Sequence, residues 1–253
     1  MNVHRVELEE IKGMRDMYRH EMNCQIIHDS IHARPGWSHE YLITEGDSKV
    51  GYGSVAVGGP WKEKPTVYEY FVLPQHRRRV FDYFITLLTS TGASEIETQS
   101  NGVLLPVMLH TFAPTVTSES ILFHDKTTTA HAPPPEALFR KVCPEDAPQI
   151  AQQELDLEAK WLVALGGVVA AAGDLLFHYN RPYGDIYMKV GEPFRRGGIG
   201  TYLVQELKRI CYQGGSVPAA RCNPKNIASR QTLQRAGFIP CGHILKGTVS
   251  QGV

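Results

Sequence analysis

The chain has 253 residues, of which 42% are hydrophobic and 21% charged, so it can bury a core and lacks the composition of a disordered protein. At about 100–200 residues per domain, this length accommodates one large or two small domains. The formal net charge is zero, which gives no general case for nucleic acid or a membrane surface as a partner. Residues 1–135 carry 12 Lys/Arg against 16 Asp/Glu, whereas residues 136–253 carry 14 against 10. If one half binds a small polyanion, we expect it to be the second; ordinary scatter of surface charge is the alternative.

Five cysteines are present, an odd number with no C-x-x-C pair, so neither a disulfide framework nor a structural zinc site is predicted. The N-terminal sequence MNVHRVELEE has no apolar segment of the signal-peptide type. No apolar run approaches the ~20 residues of a membrane span. We therefore expect a cytoplasmic protein. His28 and His32 have the i, i+4 spacing of a two-histidine metal site, but the sequence shows no third ligand, and no metal is predicted.

The first part of the chain has the pattern of a mixed α/β domain. Apolar residues at helical spacing predict one long helix over residues 6–31, ended by Pro35 and Gly36. A β-hairpin is predicted to follow, with its turn at residues 45–48. The remaining elements of this part are predicted as strands at 66–73, 95–98 and 118–123 and helices at 78–88 and 103–112.

A segment rich in threonine and proline separates this pattern from the next. Residues 127–135 read TTTAHAPPP, and a proline run neither pairs in a sheet nor continues a helix. We predict a linker at 127–136 between a domain at 1–126 and a domain at 137–253.

After the linker the pattern restarts. Pro144 at a first helical position, followed by two acidic residues, predicts the start of a helix, and Gly166-Gly167 predicts a hairpin turn. The remaining predictions are strands at 137–142, 161–165, 168–178, 185–190, 217–222 and 238–245 and helices at 198–212 and 227–236. Both parts share the order hairpin, strand, helix, strand, helix, strand, which indicates an internal duplication.

The most informative stretch is VGEPFRRGGIGT, residues 190–201, which leads from a predicted strand into a predicted helix. A helix N-terminus presents unpaired backbone N–H groups and a partial positive charge, to which a phosphate binds if the backbone can come close. Glycine permits that approach, and arginine and threonine side chains add donors. The stretch has no P-loop lysine and no G-x-G-x-x-G pattern, which disfavours nucleoside triphosphates and dinucleotides. The predicted anion-binding residues are Arg195, Arg196, Gly197, Gly198, Ile199, Gly200 and Thr201.

Together with NIASRQTLQRAGF at residues 226–238, this stretch resembles the GNAT acetyltransferase superfamily over about residues 137–250. In that family the R-x-x-G-x-G loop holds the pyrophosphate of acetyl-CoA, and the later helix packs beside its pantetheine arm. The resemblance implies an N-acetyltransferase acting on a small-molecule amine. It also implies an α/β (α+β mixed) fold of two tandem GNAT-like domains, each a mixed, mostly antiparallel sheet flanked by helices. The further cofactor contacts that it implies are Met188, Lys189, Val190, Asn226 and Ser229.

The same resemblance implies direct transfer from the thioester to the amine. A backbone N–H near Val190 or Gly191 is then expected to polarise the thioester carbonyl. Asp185, near the start of its strand, is the first candidate for the base that takes the proton of the ammonium, and Glu192 is the second. Each carboxylate has an alternative interpretation, as a turn or loop residue.

One position departs from the family pattern. Four residues before the glycine of the G-F pair the family often has a tyrosine, which serves as general acid to the thiolate, and this chain has Leu233. Cys222 and Tyr187 are the remaining candidates for that role, although a structural role is the more frequent one for either.

The first part of the chain is interpreted as a degenerate copy. A shift of 118 residues aligns Arg77 with Arg195, but it places Val80 at the position of Gly198 and Asp82 at that of Gly200. Valine crowds such a loop and aspartate repels a pyrophosphate, so we expect the arginine run at 77–79 to be a solvated surface.

Two other functions stay open at this point. One is a non-catalytic protein that binds or senses acyl-CoA, and the other is a scaffold that has lost CoA altogether. The sequence does not fix the oligomeric state, and a homodimer is compatible with it.

Overall fold

The computed structural model describes residues 1–22, 24–25 and 29–250. Their contacts divide the chain into two compact units: Met1–Ser120 with Gly242–Val253 (unit 1), and Ile121–Cys241 (unit 2). The sequence predicts different boundaries, with one domain at 1–126, a linker at 127–136 and a second domain at 137–253. Those boundaries describe the two sequence repeats, and they stay a prediction. Among the described residues, no helix combines the length and the apolarity that crossing a membrane requires.

Unit 1 contains a sheet in the order β1–β2–β3–β4–β5–β12, in which only β4 and β5 run parallel. Its strands are β1 Asn2–Val6, β2 Ser38–Glu45, β3 Ser48–Ala56, β4 Thr66–Val72, β5 Glu95–Gln99 and the later part of β12 Phe238–Thr248. Its helices are α1 Leu8–Met22, α2 Asp29–His32, α3 Val80–Thr91 and α4 Leu105–Phe112.

Unit 2 repeats this arrangement. Its sheet has the order β6–β11–β10–β9–β8–β7, in which only β10 and β11 run parallel. Its strands are the later part of β6 Val116–Asp125, β7 Ala137–Lys141, β8 Trp161–Leu165, β9 Val168–Leu176, β10 Tyr183–Val190 and β11 Val217–Cys222. Its helices are α5 Ala147–Gln152, α6 Ile199–Gln213 and α7 Ile227–Arg235. The predicted fold class, with a mostly antiparallel sheet in each of two similar halves, is confirmed.

The last strand of each half lies in an unexpected place. In unit 1, β5 pairs with β12, with Gln99 opposite Ile244, and in unit 2, β11 pairs with β6, with Cys222 opposite Ile121. Each unit is therefore completed by a strand from the other half of the sequence. Periodicity identifies an apolar strand but carries no information about which of two equivalent sheet edges it joins.

The single long helix predicted at 6–31 is wrong. Residues Asn2–Val6 form β1, which pairs antiparallel with β2, and the helix runs only from Leu8 to Met22. Asp29–His32 forms a separate short helix, and Cys24 and Gln25 between them are not helical. The apolar residues at helical spacing that predicted one long helix lie mostly in α1. Its buried apolar residues are Ile11, Met14, Tyr18 and Met22.

Helix α6 forms the centre of unit 2. Leu203, Val204, Leu207 and Cys211 are buried on one face and pack against β9, β10 and β11. Lys208 on the same helix is also buried, and its Nζ lies 2.6 Å from Asp125 and donates to the carbonyls of Thr127 and Ala236. These bonds hold the start of the predicted linker against α6.

Unit 1 contains a buried ion cluster that the sequence did not reveal, formed by Arg15, His32, Glu40 and Glu69. Arg15 makes a two-pronged pair with Glu69 at 2.7 and 2.8 Å. The two ring nitrogens of His32 lie 2.9 Å from Glu40 and 3.2 Å from Glu69. Burial by itself lowers the pKa of His32, but hydrogen bonds and charges from the two carboxylates outweigh it and raise the pKa to about 9. His32 therefore carries a charge at neutral pH.

We expect the stability of the protein to fall above pH 7 because of His32. Its pKa rises from about 6.5 in the unfolded chain to about 9 in the folded one. The stabilisation from its charge is thus complete below about pH 6.5 and is lost as the pH rises through 9. The urea midpoint of the wild type should decline between pH 7 and 9.5, and His32→Gln, which has no charge to lose, should flatten this decline. His20→Gln, on the exposed side of α1, is the control and should keep the wild-type slope. An unchanged slope in His32→Gln would contradict the assignment.

Candidate active site

The site begins where the two parallel strands of unit 2 separate. β10 pairs with β11 only from Tyr183–Val217 to Ile186–Ala220, whereas β10 itself continues along β9 to Val190. A wedge therefore opens between the later part of β10 and the end of β11. A cavity of about 180 Å³ lies in this opening, lined by Leu176, Asp185, Ile186, Tyr187, Met188, Arg221, Ser229 and Leu233.

Asp185 is the one carboxylate in the cavity wall. Its side chain is 4% exposed, and Oδ2 lies 3.2 Å from Nε of Arg221. The other oxygen, Oδ1, is buried and has no hydrogen-bond partner among the described residues. Burial raises the pKa of Asp185, the Arg221 charge and hydrogen bond offset only part of that effect, and the resulting value is about 6. Asp185 is thus mostly ionised at neutral pH, and a buried carboxylate with a raised pKa in a cavity wall is a candidate for proton transfer.

The two faces of β10 lead to different surroundings. A Cβ on Gly184 would lie 2.9 Å from Sγ of Cys211 in α6, so the even-numbered residues of β10 face that helix. Asp185 and Tyr187 face the opposite side. Arg221 shares their face, because Ala219 is the register partner of Asp185 and Arg221 lies two residues further along β11. The opening can therefore be approached from two sides.

The predicted anion loop lies at the end of the same strand. Residues Glu192–Phe194 form a short 3-10 turn, and Gly198 is the N-cap of α6 with a φ of +78° and no side-chain cap. Arg196 also has a positive φ, +67°, a conformation that costs energy in a non-glycine residue and recurs at ligand-binding turns. Residues 195–198 are exposed, and no described heavy atom lies within 4 Å of the position of a Cβ on Gly198. No side chain caps the first N–H groups of α6, and the residues just before them are exposed, as an anion site requires.

Gly200 differs in role from the other loop glycines. A Cβ at this position would approach Val190 Cγ2 to 3.2 Å and Thr232 Cγ2 to 3.3 Å. The glycine thus lets the first turn of α6 pack closely against β10 and α7. Thr201 and Ile199 are buried as well, so the exposed part of the predicted loop is Arg195 to Gly198.

Backbone donors face the opening at alternate positions of β10. The N–H of Gly191 donates to the carbonyl of Ala170 at 2.9 Å, so Gly191 is not available to a ligand. In an antiparallel pair the bonded residues alternate, and the N–H groups of Val190 and Met188 therefore point away from β9. Of the two backbone donors considered from the sequence, Val190 faces the wedge and Gly191 does not.

Only some of the other predicted cofactor contacts line the cavity. Met188 and Ser229 line the cavity. Asn226 does not line it; its side chain accepts a hydrogen bond from the N–H of Ser229 at 3.0 Å and caps α7. Lys189 points elsewhere and its Nζ donates to the carbonyl of Glu154. Glu192, the second candidate base, is exposed in the 3-10 turn and is not part of the cavity wall.

The position of the family's general acid is apolar. Leu233 is 3% exposed and forms part of the cavity wall. Burial, opposed in part by a hydrogen bond with Ser229, raises the pKa of the Cys222 thiol. Burial and a hydrogen bond to Asp156 raise the pKa of Tyr187, which lines the cavity. Both groups therefore stay protonated at neutral pH, and only Tyr187 borders the opening.

Sequence reasoning missed Arg221 and Tyr179. The Arg221 guanidinium stacks 4.7 Å from the centre of the Tyr179 ring and also donates to its hydroxyl. The sequence did contain a signal for Arg221. It is the one charged residue in the strand VPAARC, whose other residues are small or apolar, and a charge in such a strand needs a partner on a neighbouring strand.

The corresponding loop of unit 1 is closed. Residues Pro74–Arg79 form a 3-10 helix, and Val80 at the glycine position is buried in the core. Arg77 makes a two-pronged pair with Glu21 at 2.5 and 2.6 Å, and Arg79 pairs with Glu45 and Asp82. The carboxylates neutralise both guanidinium groups, which leaves little attraction for a pyrophosphate.

Among the described residues, no group of three or more His, Cys, Asp or Glu side chains could hold a metal ion. His28, one member of the i, i+4 pair, lies outside the described residues, and the prediction of no metal stays a prediction.

A fold of this kind, with a splayed parallel pair and an open helix N-terminus beside it, defines a class of acyltransferases. Residues 127–238 match the model of the acetyltransferase (GNAT) family. No curated protein matches the chain by sequence. Residues 127–238, most of which lie in unit 2, are therefore similar to the GNAT acetyltransferase family, as predicted from the two motifs.

Solved structures share this fold along the whole chain. A GNAT-family acetyltransferase from Colwellia psychrerythraea superposes with a TM-score of 0.77 at 14% identity, covering 99% of this chain and 100% of that one. A tandem GNAT protein of the clavulanic acid biosynthesis pathway gives 0.67 at 13% identity, covering 100% and 99%. A GCN5-related N-acetyltransferase from Sphaerobacter thermophilus gives 0.54 at 16% identity, covering 85% and 82%. At these identities the likeness shows the fold alone, and it supports the tandem arrangement.

Proposed function

We propose that the protein is an N-acetyltransferase that transfers an acetyl group from acetyl-CoA to a small-molecule amine, with its active site in unit 2. The observation that carries this proposal is the cavity in the β10–β11 wedge. There β10, which leads towards the N-terminus of α6, carries Asp185 with a buried carboxylate oxygen that has no partner among the described residues.

The residues of unit 2 fit acetyl-CoA at both ends of the wedge. The N–H groups after Gly198, which no side chain caps, would hold the pyrophosphate together with Arg195 and Arg196 by charge-assisted hydrogen bonds. The backbone of Met188 and Val190 would hold the pantetheine, and the Val190 N–H would polarise the thioester carbonyl. The charge of this part of the chain also favours an anionic cofactor, since residues 136–253 carry more Lys and Arg than Asp and Glu.

Asp185 would act on the amine from the face of the sheet that is turned away from α6. Acetyl-CoA supplies the acyl group as a thioester, whose carbon–sulfur bond breaks as the amine nitrogen forms the amide, and the amine's proton leaves to the base while the thiolate is protonated. With a pKa of about 6, Asp185 accepts that proton near neutral pH, directly or through a water molecule. Leu233 offers no acid to the thiolate, so the sulfur would take its proton from the Tyr187 hydroxyl, from Asp185 once it is protonated, from the nitrogen of the tetrahedral intermediate or from solvent.

A non-catalytic acyl-CoA sensor is the second candidate, and Leu233 in the cavity wall is the observation that favours it. Release of free thiol from acetyl-CoA, measured with a panel of small amines, distinguishes the two. Turnover with any amine above the rate of hydrolysis supports the transferase. Micromolar binding of CoA without turnover supports the sensor.

We expect Gly198→Val to weaken CoA binding by at least 100-fold. A branched side chain at a φ of +78° would both strain the loop and stand over the N–H groups of the first turn of α6. Titration calorimetry with CoA measures the effect.

Gly167→Val is the matched control for this substitution. Gly167 has a φ of +83° in the β8–β9 turn, with no described heavy atom near its Cβ position, so valine should cause similar backbone strain away from the loop. CoA affinity should survive Gly167→Val even if both variants unfold at a lower temperature. Equal affinities for Gly198→Val and the wild type would place the cofactor site elsewhere.

A further inference from the structure

We propose that Arg221 binds a carboxylate of the acceptor, so that the acceptor is a small amine carrying a carboxylate a few bonds from its nitrogen, as in an α- or β-amino acid. This inference rests on the proposed function, because it assigns the second substrate of the same cavity.

The guanidinium group of Arg221 is only partly used within the protein. Its Nε lies 3.2 Å from Asp185 Oδ2, and its Nη2 donates to the Tyr179 hydroxyl. In the described part of the chain Nη1 makes no hydrogen bond, and the side chain is 30% exposed against 4% for Asp185. One edge of a planar, permanently charged fork therefore borders the cavity and can be reached by a ligand. Such an edge matches the geometry of a carboxylate.

The arrangement of the pair limits the distance between the two groups that it can bind. Asp185 Oδ1 and Arg221 Nη1 belong to one ion pair, whose bonded atoms Oδ2 and Nε are 3.2 Å apart. An ammonium on the first and a carboxylate on the second would therefore lie only a few bonds apart in one molecule.

A zwitterion also satisfies both members of the pair. The ammonium would pair with the Asp185 carboxylate, whose Oδ1 has no partner among the described residues, and the carboxylate would cover the unused edge of Arg221. A simple amine would instead cover a donor edge of Arg221 without bonding to it, and a polar group that loses water without gaining a partner costs affinity. The site should therefore discriminate against acceptors that lack the carboxylate.

A purely supporting role for Arg221 predicts a different result. If the guanidinium only held Asp185 in place, its loss would slow every acceptor by the same factor and shift the pH profile. If it binds a carboxylate, its loss must penalise carboxylate acceptors selectively, mainly through KM.

The test compares matched acceptors: glycine against glycinamide and β-alanine against β-alaninamide. We expect Arg221→Gln to lower kcat/KM for the two carboxylates by about 10- to 100-fold more than for the two carboxamides. Arg221→Lys should recover part of the preference, since it keeps the charge and loses the fork. Arg209→Gln is the control, because Arg209 is exposed on α6 and bonds to Glu206, and it should change nothing. An equal loss for both kinds of acceptor in Arg221→Gln overturns the inference.

A second measurement separates this inference from the proposed function. Titration with N-acetylglycine and N-acetylglycinamide, in the presence of CoA, reports binding without turnover. Selective binding of the carboxylate that disappears in Arg221→Gln supports the Arg221 site even where no amine releases thiol, and in that case only the transferase proposal fails. Equal binding of the two compounds to the wild type overturns the Arg221 site, whatever the turnover.

Discussion

Asp185→Asn is expected to lower kcat for amine acylation by about 10²- to 10⁴-fold while leaving CoA affinity unchanged. The substitution keeps the shape of the side chain and removes the group that accepts the proton. The physical basis is the pKa of Asp185, which burial raises to about 6 against the opposing effect of Arg221. Steady-state thiol release and calorimetry with CoA measure the two quantities separately.

The pH profile gives the same prediction a second test. Protonation of Asp185 removes the base, so wild-type kcat/KM should fall as the pH drops through about 6, and Asp185→Asn should lack this limb. The variant should also fold. A carboxylate whose pKa is raised on folding is less favourable in the folded chain above that pH, so the loss of its charge removes a cost.

Glu192→Gln is the matched control for Asp185→Asn, because it makes the same change at the exposed second carboxylate. It should retain wild-type kcat and the limb near pH 6. If Glu192→Gln is the damaging substitution and Asp185→Asn is within threefold of the wild type, the base has been assigned to the wrong residue.

Glu69→Gln is expected to lower the free energy of unfolding by about 3–5 kcal/mol at pH 7. Glu69 is 1% exposed and accepts from Arg15 on both oxygens, from His32 and from the hydroxyl of Tyr52. Burial raises the pKa of Glu69, but Arg15 and His32 outweigh it and hold the pKa well below its usual range. Removal of the charge leaves two buried cations with less compensation, and urea unfolding at equilibrium measures the loss.

A double-mutant cycle tests whether the interaction between Arg15 and Glu69 is responsible for this loss of stability. Arg15→Met removes one of the cations, so the combination with Glu69→Gln should cost clearly less than the sum of the single substitutions. Glu9→Gln, which removes an exposed carboxylate that lies 3.0 Å from Lys12, should have no measurable effect. Additive losses in the cycle would mean that Glu69 and Arg15 stabilise unit 1 independently of each other.

Local patterns in the sequence were sufficient to predict α6, the glycine turn before it and the strand that carries Asp185. Each of these depends on interactions within about ten residues. Leu203, Leu207 and Cys211 recur at helical spacing and are buried, and a helix N-terminus without a side-chain cap follows from the glycine that precedes it. Because the two motifs lie at the spacing of a known family, the fold class and the family could be predicted from them.

Local patterns did not predict the roles of Asn226 and Gly200. Asn226 and Gly200 match the family motif, but the structure uses the first as a helix cap and the second as a packing position between α6, β10 and α7. A motif records which residue types occur together, whereas the contact that each one makes depends on the neighbouring elements.

The sequence by itself determined most of the elements, apart from β1 and the break between α1 and α2, and it indicated the duplication, because these follow from periodicity and from short-range backbone chemistry. The anion loop and the base are predictions from the same patterns. Only the tertiary structure decided which sheet edge takes β6 and β12, and it alone placed Arg221 beside Asp185 and His32 between two glutamates. Those contacts join residues that are far apart in the chain. Pairing of strands and of buried charges depends on which surfaces meet, and a single sequence does not state that.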